Sequence, residues 1–255
     1  AFNEWKTIHN VLNDIPNQIC WLDVLIQVVD DGSTDDTMEV AKLHGANVIL
    51  KHDYNQGIWA AFRTGVQKFL ESTADIMINI DADWQFNVSD IPSLIQPLLE
   101  KRADITIWSR FSWIDANNIP WIKSFLNKVI ARIVWFLMMQ KIDDLTCWFR
   151  AYSRESLLRL TLTSSYTYTQ ETIIDAFWKN MRISWIPVSV RYFKDRKSRV
   201  VKSILSYIAR SVSIIFRTVR DVRPLVFFGL PGAIFMAIGF ILFSIFIYHY
   251  ALELQ

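Results

Sequence analysis

Cysteine is nearly absent: the 255-residue chain has two, Cys20 and Cys147. They lie far apart and match no metal-ligand spacing, so a disulfide framework and a zinc site both lack support and a reducing compartment is the default. Histidine is scarce too, and His9, His44, His52 and His249 all fall outside the motifs described below, which argues against a catalytic histidine. Before the C-terminal apolar segment the only glycines are Gly32, Gly45, Gly57 and Gly65. Ala1-Phe2-Asn3-Glu4 has neither a basic nor an apolar leader region, so these residues are not expected to open a signal peptide. Without an initiating Met, the chain is expected to begin inside a domain with its first strand cut short.

Hydrophobic residues make up 52% of the chain, and the excess is concentrated at one end. Leu225 to Tyr248 runs 24 residues without a charge, long enough to span a hydrocarbon core of roughly 30 Å. The net charge of +2 hides an asymmetry: Arg191 to Arg223 holds ten Lys/Arg against two Asp, leaving 17 basic and 23 acidic residues elsewhere. Within that stretch Ile204, Ile208, Val212, Ile215 and Val219 repeat at helical spacing beside Lys202, Arg210, Arg217 and Arg220. Such a basic amphipathic helix either lies on a membrane or packs on the core, and the apolar segment after it decides for the membrane. The basic flank keeps the large N-terminal domain on the cytoplasmic side, while the tail with His249 and Glu253 crosses. The expected division is a catalytic domain over 1–199, a juxtamembrane helix over 200–223, a transmembrane helix over 224–250 and a tail over 251–255.

Strands and helices alternate through the first domain. Strands are expected over 24–29, 46–50, 76–80, 104–108 and 182–193, with Pro187 marking an edge or a bulge. Helices are expected from about 38 to 45 with Ser33, Thr34 or Asp35 as cap, 58 to 70, after Ser89-Asp90-Ile91-Pro92, 121 to 140, 154 to 160 and 170 to 180. This order implies a mainly parallel sheet with helices on both faces. Ligands of such sheets bind beyond the C-terminal strand ends. Asp30-Asp31, Asp81-Ala82-Asp83 and Ser109-Arg110 all fall at such ends and are expected to converge.

Two carboxylates one residue apart repel unless a cation or substrate sits between them. Asp81, Asp83 and the amide oxygen of Gln85, at i, i+2 and i+4, are hard donors of the kind a divalent cation takes. In order along the chain, Ala1-Phe2-Asn3-Glu4, Val28-Val29-Asp30-Asp31-Gly32-Ser33, Asn55-Gln56-Gly57, Asp81-Ala82-Asp83-Trp84-Gln85, Ser109-Arg110-Phe111 and Phe149-Arg150-Ala151-Tyr152 resemble the inverting family 2 glycosyltransferases of GT-A fold. Among those the pattern is most similar to the dolichyl-phosphate mannose synthases and related polyprenyl-phosphate sugar transferases.

That resemblance implies transfer of a hexose from a GDP- or UDP-sugar to a polyprenyl phosphate at a membrane, with no nucleic-acid partner. It implies Mg²⁺ or Mn²⁺ at Asp81, Asp83 and Gln85, with Asp83 and Arg110 in the catalytic machinery. Glu4, Asp30, Asp31 and Asp81 would contact the nucleotide sugar, and Arg110 the acceptor phosphate or the diphosphate. Arg196, Lys197, Ser198 and Arg199 resemble a loop that closes over the diphosphate; attraction to anionic lipid explains the same charges. Asp143 and Asp144 could orient the acceptor arginine or the sugar, whereas Glu171 is read as structural. Trp59, Trp108 and Trp148 stand where the family commonly has glycine, and Phe86 where it has histidine. Those departures leave two alternatives: a hydroxyl-directed or processive transferase, and a membrane-tethered nucleotide-sugar binding protein with a degraded site.

Overall fold

The computed structural model describes residues 1–109, 147–161, 168–187 and 224–253, together with residues 213, 216, 217 and 220. The chain opens with α1 (Trp5–Asp14), which sequence reading did not anticipate; it buries Ile8, Val11 and Leu12 along one stripe. A two-residue-turn hairpin follows, β1 (Gln18–Ile19) against β2 (Leu22–Asp23). The strand expected over 24–29 is β3 (Gln27–Asp30), which pairs in parallel with β4 (Val48–Lys51) across α2 (Thr37–Leu43). Ala1 adds a further rung, its nitrogen donating to the Val29 carbonyl at 2.6 Å and its carbonyl accepting from Asp31 at 2.8 Å.

After α3 (Ile58–Glu71) comes β5 (Ile76–Asn79), then a 3₁₀ turn at Val88–Asp90 whose N-cap Asn87 accepts from Ser89. It runs into α4 (Ile91–Leu99), with Pro92 in the first turn, where a missing N–H costs nothing. The second sheet has four strands: β5, then β7 (Arg150–Ser153), then β6 (Ile105–Ser109), then β8 (Ile183–Pro187). β7 lies antiparallel to both neighbours, while β6 and β8 are parallel. Pairing in the described sheets is thus mixed, with one antiparallel strand threaded between parallel ones. β8 sits at the edge and ends on Pro187, where a missing donor is tolerated. Between β7 and β8 lie α5 (Arg154–Arg159), capped by Ser153, and α6 (Tyr168–Trp178), buried from Tyr168 through Ala176.

β6 is buried at all five positions, the signature of a central strand covered on both faces. Its Ile105, Ile107 and Trp108 pack with Phe62 and Phe69 of α3, Leu94 and Ile95 of α4, and Ile173 and Ile174 of α6. Two departures from the resembled pattern find their places here. Trp108 and Phe86 turn into the core, with ring centroids 4.8 Å apart and each against Phe149. The last helix, α7 (Pro224–Glu253), is apolar all round and exposed, save that Phe227 packs on the core. Its 30 residues span about 45 Å at ~1.5 Å per residue. The window Phe227–His249 is long and apolar enough to cross a membrane.

Candidate functional site

The β3 end delivers Asp30 and Asp31, both buried. Asp30 Oδ1 accepts from the Ser33 amide at 3.2 Å and from the Ser33 hydroxyl, while its Oδ2 is buried with no hydrogen-bond partner. A buried carboxylate oxygen left without a donor is costly, which makes it a ready acceptor for a ligand hydroxyl or N–H. Asp31 is fully engaged with its neighbours. Its Oδ1 accepts from the Gln56 amide at 2.9 Å and its Oδ2 from the Gly57 amide at 2.8 Å, and His52 Nδ1 lies 2.7 Å from Oδ1. Asp31 therefore pins the Asn55-Gln56-Gly57 loop that starts α3. Helix capping falls to other residues: Asp35 accepts from the Thr37 amide at 3.1 Å, and Asp36, at the N-cap of α2, makes no side-chain cap bond.

Gly32 makes the two loops meet. Its φ is +75°, and a Cβ there would lie 2.4 Å from the Tyr54 carbonyl carbon. The N-terminal segment is stitched to the same loop: the Asn3 amide donates to Ser33 Oγ at 2.9 Å, the Thr34 amide to Asn3 Oδ1 at 2.9 Å, and the Glu4 amide to Thr37 Oγ1 at 2.9 Å. The Glu4 carboxylate accepts from the Thr7 hydroxyl at 3.0 Å at the start of α1.

Beyond β5 the acid pair occupies a turn. Asp83 Oδ1 accepts from the Gln85 amide at 3.1 Å, Trp84 adopts φ +59°, and the Trp84 indole donates to Asp14 Oδ2 at 2.9 Å. Asp81 and Asp83 are half-buried. The loops converge near Ala1: Ala1 and Ala82 both pack against the cluster of Ile8, Leu12 and Val28, and Asp81, Asp30, Asp31 and Glu4 lie close enough for their fields to reach Ala1. Acids from three separate segments, Glu4, Asp30-Asp31 and Asp81, thus gather around one point. The donors present in the turn, two carboxylates and one amide, fit an oxygen-loving ion that completes its shell with water and substrate oxygens. Among the described residues no three His, Cys, Asp or Glu side chains gather to form an all-protein cage.

Under the acid turn lies a polar network. Asn79 Nδ2 donates to the Tyr168 hydroxyl at 2.7 Å and to the Trp148 carbonyl at 3.1 Å. Arg150, wholly buried, donates to the Cys147 carbonyl at 2.8 Å and to Thr172 Oγ1 at 2.7 Å. Desolvation drives the Tyr168 hydroxyl well above its usual pKa, and the field of Asp81 adds to this. Tyr168 therefore stays neutral and works as a fixed dipole. Glu171 is buried on the first turn of α6. Beside the Gln56–Gly57 loop, Tyr54, Gln56, Trp59 and Arg63 line an open cleft of about 480 Å³, with the Arg63 guanidinium 5.1 Å from the Trp59 ring centroid.

Of the residues singled out from sequence, Glu4, Asp30, Asp31 and Asp81 lie around Ala1, and Asp83 and Gln85 share the turn that follows Asp81. Arg110, Asp143, Asp144, Arg196, Lys197, Ser198, Arg199 and the basic helix over 200–223 fall largely or wholly outside the described residues. Sequence reading missed His52 and its partner Thr64, since no spacing rule links a strand-end histidine to an acid 21 positions earlier.

An open α/β sheet with acid-bearing loops gathered beyond its strand ends is the GT-A arrangement, and solved structures bear this out. Glucosyl-3-phosphoglycerate synthase from Mycobacterium tuberculosis in complex with UDP superposes with a TM-score of 0.66 at 22% identity, covering 87% of this chain and 77% of that one. The same enzyme with Mn²⁺ and UDP-glucose gives 0.65 at 23% identity, covering 87% and 76%. The family description "Glycosyl transferase family 2" matches residues 1–161, and the chain belongs to that family. It is 28% identical over 227 residues to a UDP-N-acetylglucosamine–dolichyl-phosphate N-acetylglucosaminyltransferase of Methanococcus voltae, covering 81% of this chain and 89% of that protein. It is also 28% identical over 244 residues to the glycosyltransferase AglJ of Haloferax volcanii, covering 94% and 76%.

Proposed function

We propose that the chain transfers a sugar from a nucleotide sugar to a polyprenyl phosphate at a membrane surface, with inversion at the anomeric carbon. The observation that carries this reading is that Glu4, the Asp30-Asp31 pair and Asp81, from three segments, lie around Ala1 in a chain of this family. The names of the relatives favour a uridine donor and a dolichyl-phosphate acceptor. The candidate span Phe227–His249 supplies the anchor, with the catalytic domain on the cytoplasmic side.

In this reading the orphaned Asp30 Oδ2 accepts from the base or ribose of the donor. Asp31 holds the loop that borders it. Asp81, Asp83 and Gln85 would hold Mg²⁺ or Mn²⁺, which would supply positive charge against the leaving diphosphate. An oxygen of the lipid phosphate, ionised near neutral pH, attacks the anomeric carbon from the face opposite the diphosphate. The new carbon–oxygen bond forms as the old one breaks, and the nucleoside diphosphate leaves with the bonding pair. No strong general base is needed, so positioning and charge dominate. Arg110 contacts the acceptor phosphate, and Arg196 and Ser198 close over the diphosphate.

The test is a transfer assay in detergent with polyprenyl phosphate, Mn²⁺, and labelled UDP-N-acetylglucosamine, UDP-glucose or GDP-mannose in separate reactions. Labelled lipid-linked sugar from one donor is expected. Nucleotide-sugar binding with no lipid product from any donor would assign the chain instead as a binding protein.

A further inference from the structure

We propose that His52 is a positioning residue of the donor site, acting through Asp31 on the backbone of Gln56 and Gly57; this rests on the function proposed above. The ring is buried between two partners, with Nδ1 2.7 Å from Asp31 Oδ1 and Nε2 2.9 Å from Thr64 Oγ1. An ionised carboxylate only accepts, so Nδ1 carries a proton toward Asp31, while the Thr64 hydroxyl, which can donate or accept, holds Nε2. Thr64 sits on α3, and His52 immediately follows β4. The histidine thus fixes Asp31 against a rigid helix. Asp31 in turn holds Gln56 and Gly57 at the opening of α3, and Gln56 borders the cleft with Trp59 and Arg63. The neighbouring Asp30 carries the orphaned oxygen on the same loop. Losing the histidine leaves Asp31 with its two amides alone, free to swing with the loop.

The test pairs two substitutions. His52→Asn places an amide N–H near the position of Nδ1 and keeps the bond to Asp31; His52→Gln reaches toward Thr64 instead. His52→Gln is expected to raise KM for the nucleotide sugar about ten-fold, with a smaller change in kcat, since a hydrogen bond to a charged group is lost. It is also expected to speed hydrogen exchange at the Gln56 and Gly57 amides, while His52→Asn restores both. Unchanged exchange at these amides in His52→Gln, or the same loss in both variants, would overturn the proposal. Should the wild-type chain bind no nucleotide sugar, the functional reading falls, and the exchange data alone still decide whether His52 holds the loop. Thr64→Val, expected to show a weaker version of the same pattern, serves if a histidine variant fails to fold.

An independent observation concerns tryptophan. Trp21 has φ +67° and Trp84 φ +59°, a left-handed backbone that bulky side chains avoid. With Cys20 at φ +50°, Trp21 fills the second central position of the β1–β2 turn, where two-residue hairpins take glycine. Its side chain is 96% exposed, so no packing compensates. The chain has seven glycines and eleven tryptophans, against about eighteen glycines expected at the usual ~7%, so the tryptophans match the shortfall. We infer that positions 21 and 84 are glycine in the polypeptide the cell makes, through a UGA codon that one genetic code reads as tryptophan and another as glycine. Tandem mass spectrometry of the protein from its own cells is expected to find glycine at both positions, and tryptophan at either would overturn the inference for that site. Recombinant Trp21→Gly is expected to melt about 2–4 °C higher than the tryptophan chain, and a lower Tm would count against the strain on which the inference rests.

Discussion

Replacing Gly32 with alanine tests the junction on which the proposed donor site is built. At φ +75° an L-residue pays roughly 1–2 kcal/mol for the left-handed backbone. The added Cβ would also lie 2.4 Å from the Tyr54 carbonyl carbon and 2.7 Å from the Asn55 nitrogen, backbone atoms that cannot rotate away. Relief of that overlap costs about 1–3 kcal/mol more. The total, near 3 kcal/mol, corresponds to a Tm loss of roughly 6–12 °C for a domain of this size. Gly45 is the internal control, since its φ is +91° but nothing lies within 4 Å. Gly45→Ala therefore bears the backbone term alone. Differential scanning calorimetry of the two variants separates strain from collision, and calorimetric titration with the nucleotide sugar should show weaker binding only for Gly32→Ala. Equal Tm losses in the two variants would refute the close approach of the Gly32 and Tyr54 loops.

Arg154 donates to the carbonyls of Phe69 and Leu70 at the end of α3 and of Ser72 and Ala74 beyond it, and its guanidinium lies 5.2 Å from the Phe69 ring centroid. Arg154→Ala should cost about 2 kcal/mol in urea unfolding, by freeing helix C-terminal carbonyls. Asp104 accepts from Arg182 at 2.8 Å and 3.2 Å, and hydrogen bonds from Arg182 hold its pKa below the usual value. A depressed carboxylate pKa contributes stability above the unfolded value of about 3.9 and loses it as pH falls through the folded one. The gap between wild type and Asp104→Asn should therefore be about 1 kcal/mol near neutrality, given the exposed arginine, and should close below about pH 4. Ending the chain before Pro224 should release the protein from vesicles in a flotation assay, where the full chain stays bound.

The strand ends were legible because apolar runs stop abruptly in polar residues: β3 at Asp30, β5 just before Asp81 and β6 at Ser109. β7 was not, because Arg-Ala-Tyr-Ser carries a charge at a position that proves wholly buried. The Cys147 carbonyl three residues upstream and Thr172 on α6 take the N–H groups of that arginine, and the second of these partners is supplied only by the fold. The spacing of Ile8, Val11 and Leu12 signals α1 in plain view. The loop motif Asn3-Glu4 immediately before it masks that signal. In the site, motif order singles out Glu4, Asp30, Asp31 and Asp81, which the fold brings near Ala1. What sequence could not say is that Asp31 spends both oxygens on the Gln56 and Gly57 amides, or that His52 stands behind it, since both are contacts between loops.

The central claim is that the acids beyond β3 and β5 hold a nucleotide sugar and its metal for transfer to a lipid phosphate. Its most direct measurement is sugar transfer to polyprenyl phosphate by the full chain and by Asp83→Asn, with Mn²⁺ and with excess chelator. Transfer that requires the metal and falls at least a hundred-fold in the variant (about 2.7 kcal/mol or more) is the expected result. Metal-dependent transfer undiminished in Asp83→Asn would contradict the account.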